Sequence, residues 1–183
     1  AMVRENIIEG RPNLLEGAFD APGSKAVSTS GDVQWQQTEF EQGRSAMIPR
    51  LANDSENGVA AVRISVPLEK EGETWLTLGE RYMIAVLARG KDMGAGSVLS
   101  CLVYYDNSAS FDIEAFTEPR PVEKVTFLHR KGFCRYGVYG VEFSPSVREG
   151  VSVEFRLRGE GKVELADPKL MNVAAFESLF VGR

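Results

Sequence analysis

The chain has 183 residues, of which 43% are hydrophobic and 26% charged, proportions of a folded globular domain and too apolar for a disordered one. At this length a single core buries about 70% of the unfolded surface, so neither a disulfide nor a metal is needed to hold it. The net charge of −5 comes from 21 basic and 26 acidic residues, with no Lys/Arg block to supply the basic stripe of a nucleic-acid binder.

Two further exclusions follow from the letters. No run approaches the roughly 18–20 apolar residues that span a bilayer as a helix. The opening, Ala1-Met2-Val3-Arg4-Glu5-Asn6, has no signal-peptide hydrophobic region. The expectation is a cytosolic protein, or a chain that follows a removed leader or an upstream domain; Ala1 ahead of Met2 reads as a cloning remnant.

In chain order, residues 1–12 read as an N-terminal arm, 13–173 as one β-sandwich, and 174–183 as a tail or the start of a linker. Strands are expected at 33–37 and 45–48. At 60–66, Val62, Ile64 and Val66 take one face while Arg63 and Ser65 take the other, the period-2 signature of a pleated strand. The runs 82–88 and 98–105 are apolar on both faces and read as covered central strands, with the turn Gly94-Ala95-Gly96 suggesting a hairpin between them. Further strands are expected at 122–129 and 135–143, bounded by Pro119, Pro121 and Pro145. Over 151–158, Val151, Val153, Phe155 and Leu157 alternate with Ser152, Glu154, Arg156 and Arg158, which predicts an antiparallel strand with one wet face. Gly159-Glu160-Gly161 then reads as a hairpin turn into 162–165, where Lys162 and Glu164 alternate with Val163 and Leu165 in the same pattern. Only 172–180 looks helical. The fold class is all-β: an antiparallel sandwich or jelly roll of about nine short strands with a short C-terminal helix. Cys101 and Cys134 fall in separate apolar runs, as buried thiols or as a cross-strand pair.

The order of these pieces resembles carbohydrate-binding modules of the jelly-roll, galactose-binding-domain-like type. The resemblance rests on Asn13-Leu14-Leu15-Glu16-Gly17-Ala18-Phe19-Asp20 at the opening, on Gly58 through Ile64, on Trp75 through Arg89, and on Val153 to Leu170 with its Asp167-Pro168-Lys169-Leu170 close. It covers about residues 13 to 173. It departs from the family in a shorter opening turn and in having at best Trp35 for the Trp that commonly follows the first strand.

The resemblance implies a non-catalytic module that binds a polysaccharide or glycan as one domain of a larger secreted or surface protein. It also implies a structural calcium joining Asp20 to Asp167. Chemically, a hard cation with several oxygen ligands would tie the chain ends together; the alternative is that both aspartates sit in turns and bond their own backbone. Sugar binding calls for aromatic faces and planar polar groups. The ligand-binding candidates are Trp35 with Gln37 on one face of a strand, Tyr104 beside Tyr105, Asp106 and Asn107, and Tyr136 near Tyr139. Trp35 and Trp75 as core plugs are the competing reading.

Catalysis finds little support. The one histidine, His129, has no nucleophile elbow to serve. One His and two separated Cys make no zinc set, and the loop from Gly90 to Gly96 is not a phosphate cradle. The chain reads as no enzyme, with extracellular or cell-surface localisation as part of a larger protein. The alternative reading is a structural or assembly sandwich, a spacer or homo-oligomer contact in a cell-surface or virion protein.

Overall fold

The computed structural model describes residues 13–105, 108–113, 132–143 and 150–173. The strand expected at 122–129, with His129, and the tail beyond Val173 lie outside the described residues. Asn172, expected to open a C-terminal helix, is the last residue of a strand.

The described strands are β1 (Val27–Ser30), β2 (Asp32–Glu41), β3 (Arg44–Asn53), β4 (Val59–Pro67), β5 (Glu69–Lys70), β6 (Glu73–Thr74), β7 (Arg81–Lys91), β8 (Val98–Tyr105), β9 (Ser108–Ile113), β10 (Cys134–Glu142), β11 (Gly150–Arg158) and β12 (Gly161–Asn172). A 3-10 turn at Ala18–Asp20 precedes them. Two five-stranded sheets form the sandwich, ordered β1-β4-β11-β8-β9 and β10-β7-β12-β3-β2, with β5-β6 as a small separate ribbon. Every strand pair is antiparallel.

Alternation along the strands decides which side chains meet between the sheets. Val62, Ile64 and Val66 of β4, Val151, Val153, Phe155 and Leu157 of β11, and Leu99, Cys101 and Val103 of β8 all enter one core. From the second sheet Ile84, Val86 and Ala88 of β7, Val163 and Leu165 of β12, and Leu51 of β3 meet them. Burial of these side chains supplies the main drive to fold, at roughly 1.5–3 kcal/mol for each large aliphatic. Cys101 and Cys134 are free thiols, on β8 and β10 of opposite sheets.

Two expected hairpins are absent. β7 pairs with β10 and β12, while β8 pairs with β11 and β9, so the Gly94 turn carries the chain from the second sheet to the first. Gly159 and Gly161 likewise carry it from β11 in the first sheet to β12 in the second. A glycine-rich turn between two apolar runs fits a hairpin and a corner equally well, and local sequence does not separate them.

The corner at Gly159 is closely built. Gly159 holds φ of +95°, and a Cβ there would lie 2.7 Å from Ser97 Oγ. Ser97 Oγ donates to the Glu160 carbonyl at 2.6 Å. Asn53 Nδ2 donates to the carbonyls of Leu157 and Gly159 at 3.1 and 3.0 Å. Glycine is needed there for both the left-handed backbone and the space.

β11 differs from expectation in another way. Its polar face is wet only toward the strand's end: Arg158 is exposed and Arg156 half-buried, but Glu154 is only 5% and Ser152 only 7% exposed. Strand β11 lies at the centre of its sheet, and its polar side chains find partners on neighbouring strands. Alternation reports polarity, not exposure.

Candidate functional site

The outer faces of the two sheets differ in what they can do. On the first sheet, Arg63, Tyr104, Glu154 and Arg156 form a closed set. The Glu154 carboxylate accepts from Arg63 Nε at 3.2 Å and pairs with Arg156 Nη2 at 2.6 Å. The Arg63 guanidinium lies 3.7 Å over the Tyr104 ring, and Arg156 Nη2 donates to the Tyr104 hydroxyl at 2.8 Å. A buried carboxylate is tolerable because two guanidinium groups neutralise it. Tyr104, expected to stack on a ligand, is 8% exposed, and one ring face is already taken by Arg63.

A groove of about 650 Å³ lies further along that sheet, with Ser65, Ser152, Trp75 and Lys70 in its lining. The Lys70 ammonium sits 5.1 Å over the Trp75 ring, which itself packs against the core. The indole face is therefore occupied.

The outer face of the second sheet carries a different arrangement. Strand register aligns Arg89 of β7 with Glu164 of β12, Glu164 with Arg50 of β3, and Arg50 with Gln34 of β2. Four planar polar groups thus form a row perpendicular to the strands. Arg89 Nε and Nη2 both donate to Glu164 Oε1, at 3.1 and 2.8 Å. Arg50 Nη2 donates to Gln34 Oε1 at 3.3 Å. Two residues along β2, register and alternation place Gln36 beside Ile48 on the same face, and both glutamines are exposed.

Aromatic rings flank the row. Phe133 and Phe40 meet edge-on at 6.4 Å between centroids, with Arg89 lying 4.5 Å over Phe133 and Arg44 lying 4.9 Å over Phe40. Below them Ile48, Leu87 and Ala166 form a small apolar floor. Planar hydrogen-bonding groups beside partly exposed rings on a firm floor suit a ligand with hydroxyl edges and apolar faces.

The residues expected from sequence are mostly elsewhere. Trp35 faces the core side, half-buried, with its ring edge-on to Phe19 at 5.6 Å. Gln37 shares that side of β2 and is exposed at the sheet edge. Strand β2 therefore turns Gln34 and Gln36 to the outer face, opposite to the pair expected to bind. Tyr136 is a core residue at 5% exposure, so no ring face is open to a ligand. Arg50, Arg89, Phe40, Phe133 and Glu164 carried no local signal beyond the Lys162/Glu164 alternation, because their partnership depends on register between distant segments.

Asp20 and Asp167 do line one cavity, of about 170 Å³. Asp167 sits at a bulge in β12 with φ of +48°. Its Oδ2 already faces Arg135 Nη2 at 2.7 Å, Lys169 Nζ at 3.6 Å and Arg44 Nη2 at 3.9 Å. Among the described residues no group of three or more His, Cys, Asp or Glu is placed to hold a metal. Calcium does not fit this donor set, since three cationic side chains already surround one of its two carboxylates.

No family model matches the sequence, and no curated protein matches it. Solved structures do. The enzymatically active domain of bacteriophage CBA120 tailspike protein 4 superposes at a TM-score of 0.56 and 11% identity, over 89% of this chain and 21% of that one. The C-terminal family 22 carbohydrate-binding module of Clostridium thermocellum Xyn10B gives 0.53 at 8% identity, over 89% and 92%. The CBM22-1 xylan-binding domain of Paenibacillus barcinonensis Xyn10C gives 0.50 at 12%, over 85% and 90%. At these identities the likeness is one of fold. The chain has the β-sandwich of jelly-roll carbohydrate-binding modules, as the sequence resemblance implied. It spans about a fifth of the length of the tailspike chain.

Proposed function

We propose that this domain is a non-catalytic carbohydrate-binding module that takes a polysaccharide along the outer face of its second sheet. The observation that carries the reading is the row Arg89–Glu164–Arg50–Gln34, laid across four strands beside the Phe40/Phe133 pair. Fold alone does not give function; the row adds a surface whose chemistry matches a sugar's hydroxyls and ring faces. Likeness in fold to the xylan-binding domain of Paenibacillus barcinonensis Xyn10C supports a ligand of the polysaccharide class.

The non-catalytic assignment rests on two carboxylates of this face. Glu164 is held by Arg89, and Asp167 by Arg135, so each is engaged as an ion-pair partner rather than poised for proton transfer. We place the domain as an accessory part of a larger secreted or surface protein. No helix among the described residues is long and apolar enough to cross a membrane.

The test is affinity electrophoresis through gels of soluble xylans, galactans and glucans, paired with a glycan array. Retardation of the wild type, lost in Gln34→Ala and Phe133→Ala but kept in Tyr104→Phe on the opposite sheet, is the expected result. Retardation lost in Tyr104→Phe and kept in the other two moves the site to the first sheet. No retention on any polysaccharide overturns the reading.

A further inference from the structure

The row next to Arg89–Glu164–Arg50–Gln34 on the same face is electrostatically unusual. Register places Lys91 of β7 directly opposite Lys162 of β12, and both are exposed. Like charges facing each other on adjacent strands destabilise a sheet. Neither ammonium has an ion-pair partner among the described residues.

Arg50 of β3 lies diagonal to Lys162, in register with Glu164 two residues further along β12. Among the described residues its one side-chain hydrogen-bond partner is the Gln34 amide oxygen, and its Nε is buried with no hydrogen-bond partner. A guanidinium without a carboxylate keeps its fork for a planar oxyanion.

Ala52 stands between Lys162 and Asp32 in the next row. Its small side chain leaves a hollow of about 380 Å³ with Lys162 on one rim and Asp32 and Asp54 in the lining. The hollow is polarised: Lys162 stands on its β12 side, with Asp32 of β2 and Asp54 just beyond β3 across from it. A chain carrying a net charge of −5 has concentrated unpaired cations at one point of the face where the row lies.

We infer that Arg50, Lys91 and Lys162 form the seat for an acidic group on the glycan, a uronate carboxylate or a sulfate ester, with Asp32 and Asp54 accepting from the hydroxyls of the same or the adjoining sugar. The inference rests on the glycan-binding reading and narrows its ligand class. Three donors converging on one oxyanion strengthen its hold well beyond a single exposed ion pair. The ion pairs formed with a ligand also relieve the Lys91/Lys162 repulsion that the free domain carries.

Isothermal titration of the full chain against polygalacturonate, a sulfated galactan, neutral xylan, neutral galactan and single-stranded DNA tests it. Binding at least tenfold tighter to one acidic polysaccharide than to either neutral one is expected, weakening as salt rises. Polygalacturonate in preference assigns a carboxylate, and the sulfated galactan a sulfate. The double variant K91Q/K162Q is expected to lose that preference while its melting temperature stays level or rises, because a repulsive pair has gone. Arg50→Lys, which keeps charge but not the fork, is expected to lose several-fold in affinity. Equal binding to neutral and acidic chains, or an unchanged preference in K91Q/K162Q, overturns the inference and leaves glycan binding standing. DNA bound as tightly as the best polysaccharide overturns it in favour of a general polyanion surface. No binding to any polysaccharide removes both readings.

Discussion

The Trp35 indole meets the Phe19 ring edge-on, 5.6 Å between centroids and 69° between planes. Phe19 is buried, in the 3-10 turn that leads into β1, so the contact ties the opening of the chain to edge strand β2. Trp35 is thus part of the closure of the sandwich.

Its removal should therefore register in stability. Trp35→Ala is expected to cost about 2–3 kcal/mol, below the roughly 3–5 kcal/mol of a fully buried aromatic because this ring is half-exposed. Trp35→Phe should restore most of it. Chemical denaturation gives the size, and affinity per folded molecule should not change. Lost affinity in a fully stable Trp35→Ala protein would place the indole in the binding site after all.

Glu154 gives a second prediction, from the closed set on the first sheet. Glu154→Ala leaves Arg63 and Arg156 confronting each other without their carboxylate, and should cost about 2–3 kcal/mol. The figure stays at the low end because the two arginine side chains keep 31% and 24% of their exposure and water screens them. Tyr104→Phe removes only a hydroxyl and should cost about 1 kcal/mol. Urea melts of the two variants should keep that order; a larger loss for Tyr104→Phe contradicts it.

The cluster on Asp167 predicts indifference to calcium. Melting temperatures in excess EDTA and in millimolar calcium should agree within error, and an upward shift with calcium would show an ion that the three cations ought to repel. Asp167→Asn keeps a residue tolerant of the left-handed backbone and should cost under about 1 kcal/mol. Asp167→Ala adds backbone strain of about 1–2 kcal/mol to the lost ion pairs.

The corner between β11 and β12 should be among the least forgiving points of the fold. Gly159→Ala forces a Cβ onto Ser97 and strains a backbone at φ of +95°, and is expected to cost upwards of about 2 kcal/mol. Asn53→Ala strips hydrogen bonds from the carbonyls of Leu157 and Gly159, at about 1–2 kcal/mol. Thermal melts of both variants check this, and an Ala at 159 with wild-type stability would show that the corner relaxes freely.

The architecture was largely legible in the letters, because burying one face of a strand imposes a two-residue rhythm. Val62, Ile64 and Val66 announced β4, and Val151 to Leu157 announced β11, with their core faces assigned correctly. What local sequence does not carry is pairing. Lys162 and Glu164 were visibly on one face, yet Glu164 meets Arg89 across 75 positions, and only the sheet register brings them together. The same gap hid the Lys91/Lys162 opposition. Strand β2 shows the other failure: its alternation separated Trp35 and Gln37 from Gln34 and Gln36, but an edge strand with polar residues on both sides does not reveal which set faces inward. An indole looks like a sugar platform and a core plug equally well until its neighbours are known.

Strand β12 closes the described chain and yet sits in the middle of its sheet, between β7 and β3. A nascent polypeptide emerging from the ribosome therefore has β2, β3 and β7 in hand long before the piece that joins them. Until residue 172 is free, two half-sheets must wait with bare edges, and such long-range closure is intrinsically slow and prone to mispairing with other chains. Expression of this domain should benefit from slow synthesis at low temperature, and truncations within β12 should yield insoluble material rather than a smaller sandwich.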